Sequence, residues 1–157
     1  MQRVSDEYLL DLLRDVVLIR ADGHCEYPEC FETACDPHHW YSKKNLSIRY
    51  DPDACLYLSA FHHTGGAYSA HRAPEQFKKK IIESGVRSQE WADRILLKKN
   101  QIITCHIDDY RQQWKEYLLF EKAMLGKYGI SPALLAISEI NTLNVIKNIQ
   151  ALQGERR

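Results

Sequence analysis

The sequence predicts an α+β domain that is mainly helical, with a small ββα unit of two short strands and a helix set into its first half. Three observations carry this. Apolar residues recur at helical spacing from Tyr8 to Ile19 and again beyond Pro74. Between Cys25 and about Gly66 that period fails, and short apolar pieces alternate with Pro, Gly, Asp and Asn. Six of the seven histidines and four of the five cysteines fall between His24 and His71. A loop-rich unit of that size buries little core and commonly needs a metal to hold it.

The elements follow in order. Ser5 is placed as an N-cap, Asp6 and Glu7 complement the first turn, and the stripe Leu9, Leu12, Leu13, Val16, Val17 ends at Gly23. Two strands are expected, around Ala34 to Trp40 and Cys55 to Ser59, followed by a helix that carries His62 and His63. Pro74 suits the first turn of a helix through Phe77 to Ile82, stopped near Gly85. Ser88 caps another through Trp91, Ile95 and Leu96. A longer helix spans about Ile107 to Leu125, and Ser131 with Pro132 opens a last one whose stripe runs from Leu135 to Leu152. The expected divisions are an N-terminal helix (1–23), a metal-stiffened core (24–85) and a helical extension (86–157) suited to core packing or to a homo-oligomer interface.

The chain has 157 residues, 45% of them hydrophobic and 27% charged, enough for one domain with a core that needs no disulfides. No run of 18 apolar residues occurs, and Asp6, Glu7 and Asp11 stand where a signal peptide needs basic and then apolar residues. A cytoplasmic protein with no membrane partner is expected. An odd count of five cysteines in a reducing compartment favours thiols as metal ligands over disulfides. Net charge is zero but uneven. Up to Pro37 three Lys/Arg face nine Asp/Glu (−6); from His38 to Lys80 seven face three (+4); from Ile81 on eleven face nine (+2). The basic excess coincides with the histidine-rich stretch, where the phosphates of a polyanion would sit; a solvated surface with a chance fluctuation explains the charge alone equally well.

Two groups of residues carry chemistry. Cys25 and Cys30 form a C-x4-C pair, and a turn containing Pro28 can bring both thiolates to one ion. Thiolate and imidazole are the ligands zinc prefers, and a closed tetrahedral site needs four. His62 supplies a third; the fourth lies open between Cys35 and Cys55, with His24 behind them, and each of these cysteines is equally readable as a small buried apolar residue. The second group is Asp36-Pro37-His38-His39-Trp40 with the later pair His62-His63. At a strand end both imidazoles of a pair can be aimed toward one site, one to hold a divalent ion and the other to take a proton from water. A lone His-His pair is commonly a surface accident; two pairs at strand ends are a stronger pattern.

In sequence order the chain shows Cys25-x4-Cys30, His38-His39, Arg49-Tyr50-Asp51-Pro52-Asp53, Leu58-Ser59-Ala60-Phe61-His62-His63 and Ser69-Ala70-His71-x2-Pro74-x2-Phe77. This order resembles the phage-type HNH (ββα-metal) nucleases, including the NinG-like group associated with phage recombination, over about a third of the chain. The resemblance implies a divalent-metal-dependent DNA endonuclease of phage or prophage origin. His38 and His63 would hold a catalytic Mg²⁺, Mn²⁺ or similar ion, and His39 would be the general base. Cys25, Cys30 and His62 would hold a structural zinc, whose fourth ligand stays open between Cys35 and Cys55. Arg49, Lys43, Lys44 and His71 would face DNA, His71 being equally readable as a further metal ligand or a helix-start histidine. Two positions depart from the family pattern. Its Asn, whose carbonyl helps orient the catalytic imidazole, falls on Ala54, leaving Asp53 or Asn45 as substitutes; a zinc cysteine falls on Ser59. These departures leave two rivals: a catalytically inactive zinc module that binds nucleic acid or a protein partner, and a purely structural zinc fold in an oligomeric helical protein.

Overall fold

The computed structural model describes residues 2–128, and the expected last helix from Ser131 lies outside them. Two compact units emerge, one from Leu13 to Thr104 and the other from residues 2–12 with 105–128. The fold is mixed, with helices outweighing one small sheet. Among the described residues, no helix is long and apolar enough to cross a membrane.

Helix α1 runs Asp6–Arg20 and ends where Asp22 and Gly23 turn to positive φ, with the Gly23 N–H donating to the Leu18 carbonyl. That six-to-one bond with a left-handed glycine is how a helix terminates when its last carbonyls need donors. Strand β1 is Cys35–His39, shorter at both ends than the alternation suggested, and β2 is Cys55–Ser59. They pair antiparallel with Cys35 opposite Ser59, Pro37 opposite Tyr57 and His39 opposite Cys55. Between them sit the short helix α2 (Leu46–Arg49) and a 3-10 turn over Pro52–Ala54, opened by Asp51, whose carboxylate accepts from the Asp53 N–H.

All of β2 is buried because it is covered on both sides. On its free edge the Glu26 N–H donates to the Tyr57 carbonyl, and the Glu26 carboxylate accepts from the Tyr57 N–H at 2.7 Å. That carboxylate is half of a sheltered ion pair with Arg87 (2.7 Å), and Arg20 donates to the Cys55 carbonyl nearby (2.7 Å). Charged groups replace a third strand at this edge, satisfying backbone groups that burial would otherwise orphan.

After β2 the chain makes one wide helical turn, Phe61–Gly65, of π type, where a regular helix was expected to carry His62 and His63. Ala70 and His71 N–H groups donate to the carbonyls of His62 and His63, folding the Gly-containing loop back over the turn. Helix α3 (Pro74–Glu83) starts on its proline and stops at Gly85, whose φ is +79°. Helix α4 (Gln89–Lys99) is capped by Ser88 Oγ, which accepts from the Trp91 N–H. The core of this unit joins Trp40, Ile48, Ala54, Leu56, Leu58, Phe77, Ile81, Trp91 and Ile95, drawn chiefly from α2, the 3-10 turn, β2, α3 and α4. In the other unit, α5 (Ile107–Tyr128) buries Tyr110, Trp114, Tyr117 and Leu118 at helical spacing, and Arg3 pairs with Asp108 at 2.8 Å.

A charge cluster fixes α4 to the segment that enters β2. Lys98 Nζ lies 2.8 Å from Asp51 and 3.3 Å from Asp53, Arg94 reaches Asp53 at 3.0 Å, and the Trp91 indole N–H donates to Asp53. Burial alone would raise the Asp53 carboxyl, but Lys98 and Arg94 outweigh it and hold it below the usual carboxylate range. Lys98 likewise keeps its proton against burial because two carboxylates face it.

Candidate metal centres

Cys25, Cys30 and His62 come together with one donor atom each inside 4.8 Å of the others. The local reason is the turn Tyr27-Pro28-Glu29-Cys30, closed by the Cys30 N–H on the Tyr27 carbonyl, with proline at its second position and Glu29 at φ +62° in its third. Proline presets the first of those conformations and the left-handed third residue reverses the chain. His62 arrives from the turn after β2, its ring stacked on Tyr27 at 3.9 Å and nearly parallel, with Nδ1 3.7 Å from Cys25 Sγ. Two thiols and an imidazole in this arrangement are a donor set that takes a zinc-like ion.

Cys35 stands near this group but outside its 4.8 Å cluster, and its thiol donates to the Glu32 carbonyl at 3.3 Å. Burial, with Cys25 and Cys30 as neighbours, pushes the Cys35 thiol up to about 12, and burial raises Cys25 as well. A bound cation inverts that preference, since a coordinated thiol gives up its proton. Cys55 is not a candidate. It lies at the other end of β2, opposite His39, fully buried with its thiol on the Asp51 carbonyl. His24 is exposed. Ser59, the position read as a lost ligand, sits among the donors: its N–H donates to Cys25 Sγ at 3.3 Å, and its hydroxyl is 3.1 Å from His62 Nδ1. The strand register, which puts Ser59 opposite Cys35, is the signal that could have found it.

A second group forms from His38, His63 and His71, again within 4.8 Å. Ring centroids lie 5.2 Å apart for His38–His63, 5.4 Å for His38–His71 and 4.9 Å for His63–His71, and Phe77 walls the group at 5.8 Å from His38. His38 comes from β1, His63 from the wide turn, and His71 from the loop that the Ala70 and His71 N–H bonds fold back. Burial first, then the charges its neighbours would carry, push His38 down to about 3; burial also lowers His63. Neutral imidazoles are the form that binds a metal.

His39 is held differently. Its Nε2 lies 2.9 Å from the Arg49 carbonyl oxygen. A carbonyl only accepts, so Nε2 carries the hydrogen and Nδ1 is left with a lone pair. Burial lowers the His39 ring despite that carbonyl, which alone would raise it. Neither residue expected to substitute for the family Asn touches the ring in this way: Asp53 is engaged by Trp91, Arg94 and Lys98, and the Asn45 amide donates to the Ser42 carbonyl. Ala54 is fully buried in the core, and its carbonyl accepts from the Trp40 N–H. Lys43 and Lys44 are exposed in the loop between β1 and α2, and half-buried Arg49 donates to the Lys43 carbonyl at 3.1 Å. Compared with protein-family models, with curated proteins and with solved structures, the chain matches none.

Proposed function

We propose that the chain is a divalent-metal-dependent DNA endonuclease of HNH type, stiffened by a structural zinc on Cys25, Cys30, His62 and Cys35. The observation that carries this reading is the histidine trio His38, His63 and His71 beside His39, whose free Nδ1 follows from its bond to the Arg49 carbonyl. Hydrolysis of a phosphodiester needs a deprotonated water and a neutralised leaving oxygen. His38, His63 and His71 would hold a Mg²⁺, Mn²⁺ or similar ion, which when bound stabilises charge on the phosphate. His39 takes the proton of the attacking water at Nδ1. The Arg49 carbonyl fixes the tautomer and stabilises the imidazolium that results, the part played by the missing Asn in the resemblance. Lys43, Lys44 and Arg49 would meet phosphates without reading sequence.

Supercoiled plasmid incubated with Mg²⁺ or Mn²⁺ tests the reading. Nicking by the wild-type protein that His39→Ala abolishes supports it. Salt-dependent DNA binding without nicking in any divalent ion favours the inactive zinc module instead.

A further inference from the structure

Just beyond the histidine pair, the chain builds a platform that the resemblance does not cover. Tyr41 receives two ammonium groups from two different helices: Lys78 Nζ of α3 is 4.3 Å from its ring centroid, and Lys99 Nζ at the end of α4 is 5.0 Å away. Lys78 also lies 4.8 Å from the Trp40 ring. Trp40 is buried and locked edge-on against Trp91 at 5.0 Å, so the platform is part of the core and not a loose surface. Among the described residues, neither Lys78 nor Lys99 has a carboxylate within ion-pair distance, whereas the next lysine along, Lys79, pairs with Glu83.

Two cations aimed at one tyrosine without an acid repel each other. The half-buried Lys78 ammonium is disfavoured by burial and then by Lys99. Packing forces this arrangement, because Lys98, one residue before Lys99, is tied to Asp51 and Asp53, and Phe77, one residue before Lys78, is buried against His38. What relieves it is an anion that both ammonium groups can reach beside the Tyr41 ring. The platform joins the histidine trio through Phe77, and the loop that begins at Tyr41 continues into exposed Lys43 and Lys44.

We infer that Lys78, Lys99 and Tyr41 form a phosphate clamp that grips the DNA backbone on the flank of the histidine trio. This inference rests on the nuclease reading for its ligand, and it assigns the main backbone contact to α3 and α4. The phosphodiester is the anion favoured because the surrounding stretch carries the chain's basic excess, +4 from His38 to Lys80.

Binding of a fluorescent duplex oligonucleotide, measured across a series of salt concentrations with no divalent ion added, separates the possibilities. Each lost phosphate contact makes log K against log [salt] shallower by about 0.9. Lys78→Gln and Lys99→Gln should each do so by about that amount, and the double variant by about 1.8, while Lys78→Arg keeps the wild-type slope and Lys79→Gln changes it least. Thermal melting and zinc content of each variant guard against misfolding, and Lys99→Gln, at the end of α4, tests the clamp even where Lys78→Gln fails to fold. Wild-type slopes in both single variants, with binding and nicking intact, would overturn the clamp and leave the nuclease standing. Shallower slopes in a protein that binds but never nicks would support the clamp and remove the nuclease reading. Absence of DNA binding by the wild type would overturn both.

Discussion

Replacing Lys98 with methionine should destabilise the unit from Leu13 to Thr104 severely, for a reason that can be worked from the structure. The Lys98 side chain is 8% exposed, and its ammonium bridges Asp51 at 2.8 Å, itself 2% exposed, and Asp53 at 3.3 Å. Methionine keeps an unbranched apolar stem in that space and removes the ammonium, its charge and its hydrogen bonds to Asp51 and Asp53. Asp53 keeps Arg94 at 3.0 Å, so the orphan is chiefly Asp51, which retains the Asp53 N–H. Removing one partner of a buried pair costs about 3–5 kcal/mol. The surviving contacts place Lys98→Met near the low end, about 3 kcal/mol. That is a large part of a typical stability of about 5–15 kcal/mol. For a unit of this size it corresponds to a fall in Tm of roughly 12–24 °C. Urea unfolding should show a lower midpoint at unchanged slope. The pH dependence has a definite sign. The folded Asp53 carboxyl is held below its usual range, so its contribution is present at neutral pH and is lost as pH falls through that lowered value. Lys98 is raised, so its contribution is present below the ordinary lysine range and is lost only as pH rises through the raised value. The gap between wild type and Lys98→Met should therefore be widest near pH 7 and shrink below about pH 4. A cost under about 1 kcal/mol, or a gap that is the same at pH 3 and pH 7, would refute the reasoning.

Three further outcomes are expected. Cys25→Ser should lower zinc content in the purified protein and reduce stability far more than an exposed change such as Lys44→Ala, read by metal analysis and melting. In nicking assays, His63→Ala should weaken binding of the divalent ion, so that more metal is required and high metal partly restores activity. His39→Ala should leave that dependence unchanged and cut the rate by about 10²–10⁴-fold, with partial recovery from added imidazole. Ala54→Asn should lower stability without raising cleavage, because the position is buried in the core and the Arg49 carbonyl already holds His39.

The helices were legible because each carries its own signals: Ser88 and Pro74 open helices, and Gly23 and Gly85 end them, as caps and positive-φ glycines do. The C-x4-C turn was legible too, since Pro28 fixes it locally. What escaped depends on contacts distant in sequence. Nothing near Arg49 says that its carbonyl will receive a histidine ten residues earlier. Cys35 and Cys55 look alike in composition, and only the antiparallel register separates them, placing one beside Cys25 and the other at the opposite strand end. His71 could not be placed from spacing, because the glycine-containing loop returns it to His63 through backbone bonds. The regular helix expected at His62-His63 gives way to a wide turn, and that turn sends the two adjacent rings to different sites, His62 to the thiols and His63 to His38 and His71. The platform of Lys78, Lys99 and Tyr41 brings together three elements with no shared motif.

Anomalous scattering from a Mn²⁺-soaked crystal, recorded at the zinc edge and at a wavelength that reveals manganese, tests the two-centre arrangement most directly. Zinc is expected at Cys25, Cys30 and His62 with Cys35 as the fourth ligand, and a separate manganese at His38, His63 and His71 with His39 uncoordinated. A single metal, a metal ligated by His39, or manganese away from the histidine trio would contradict it.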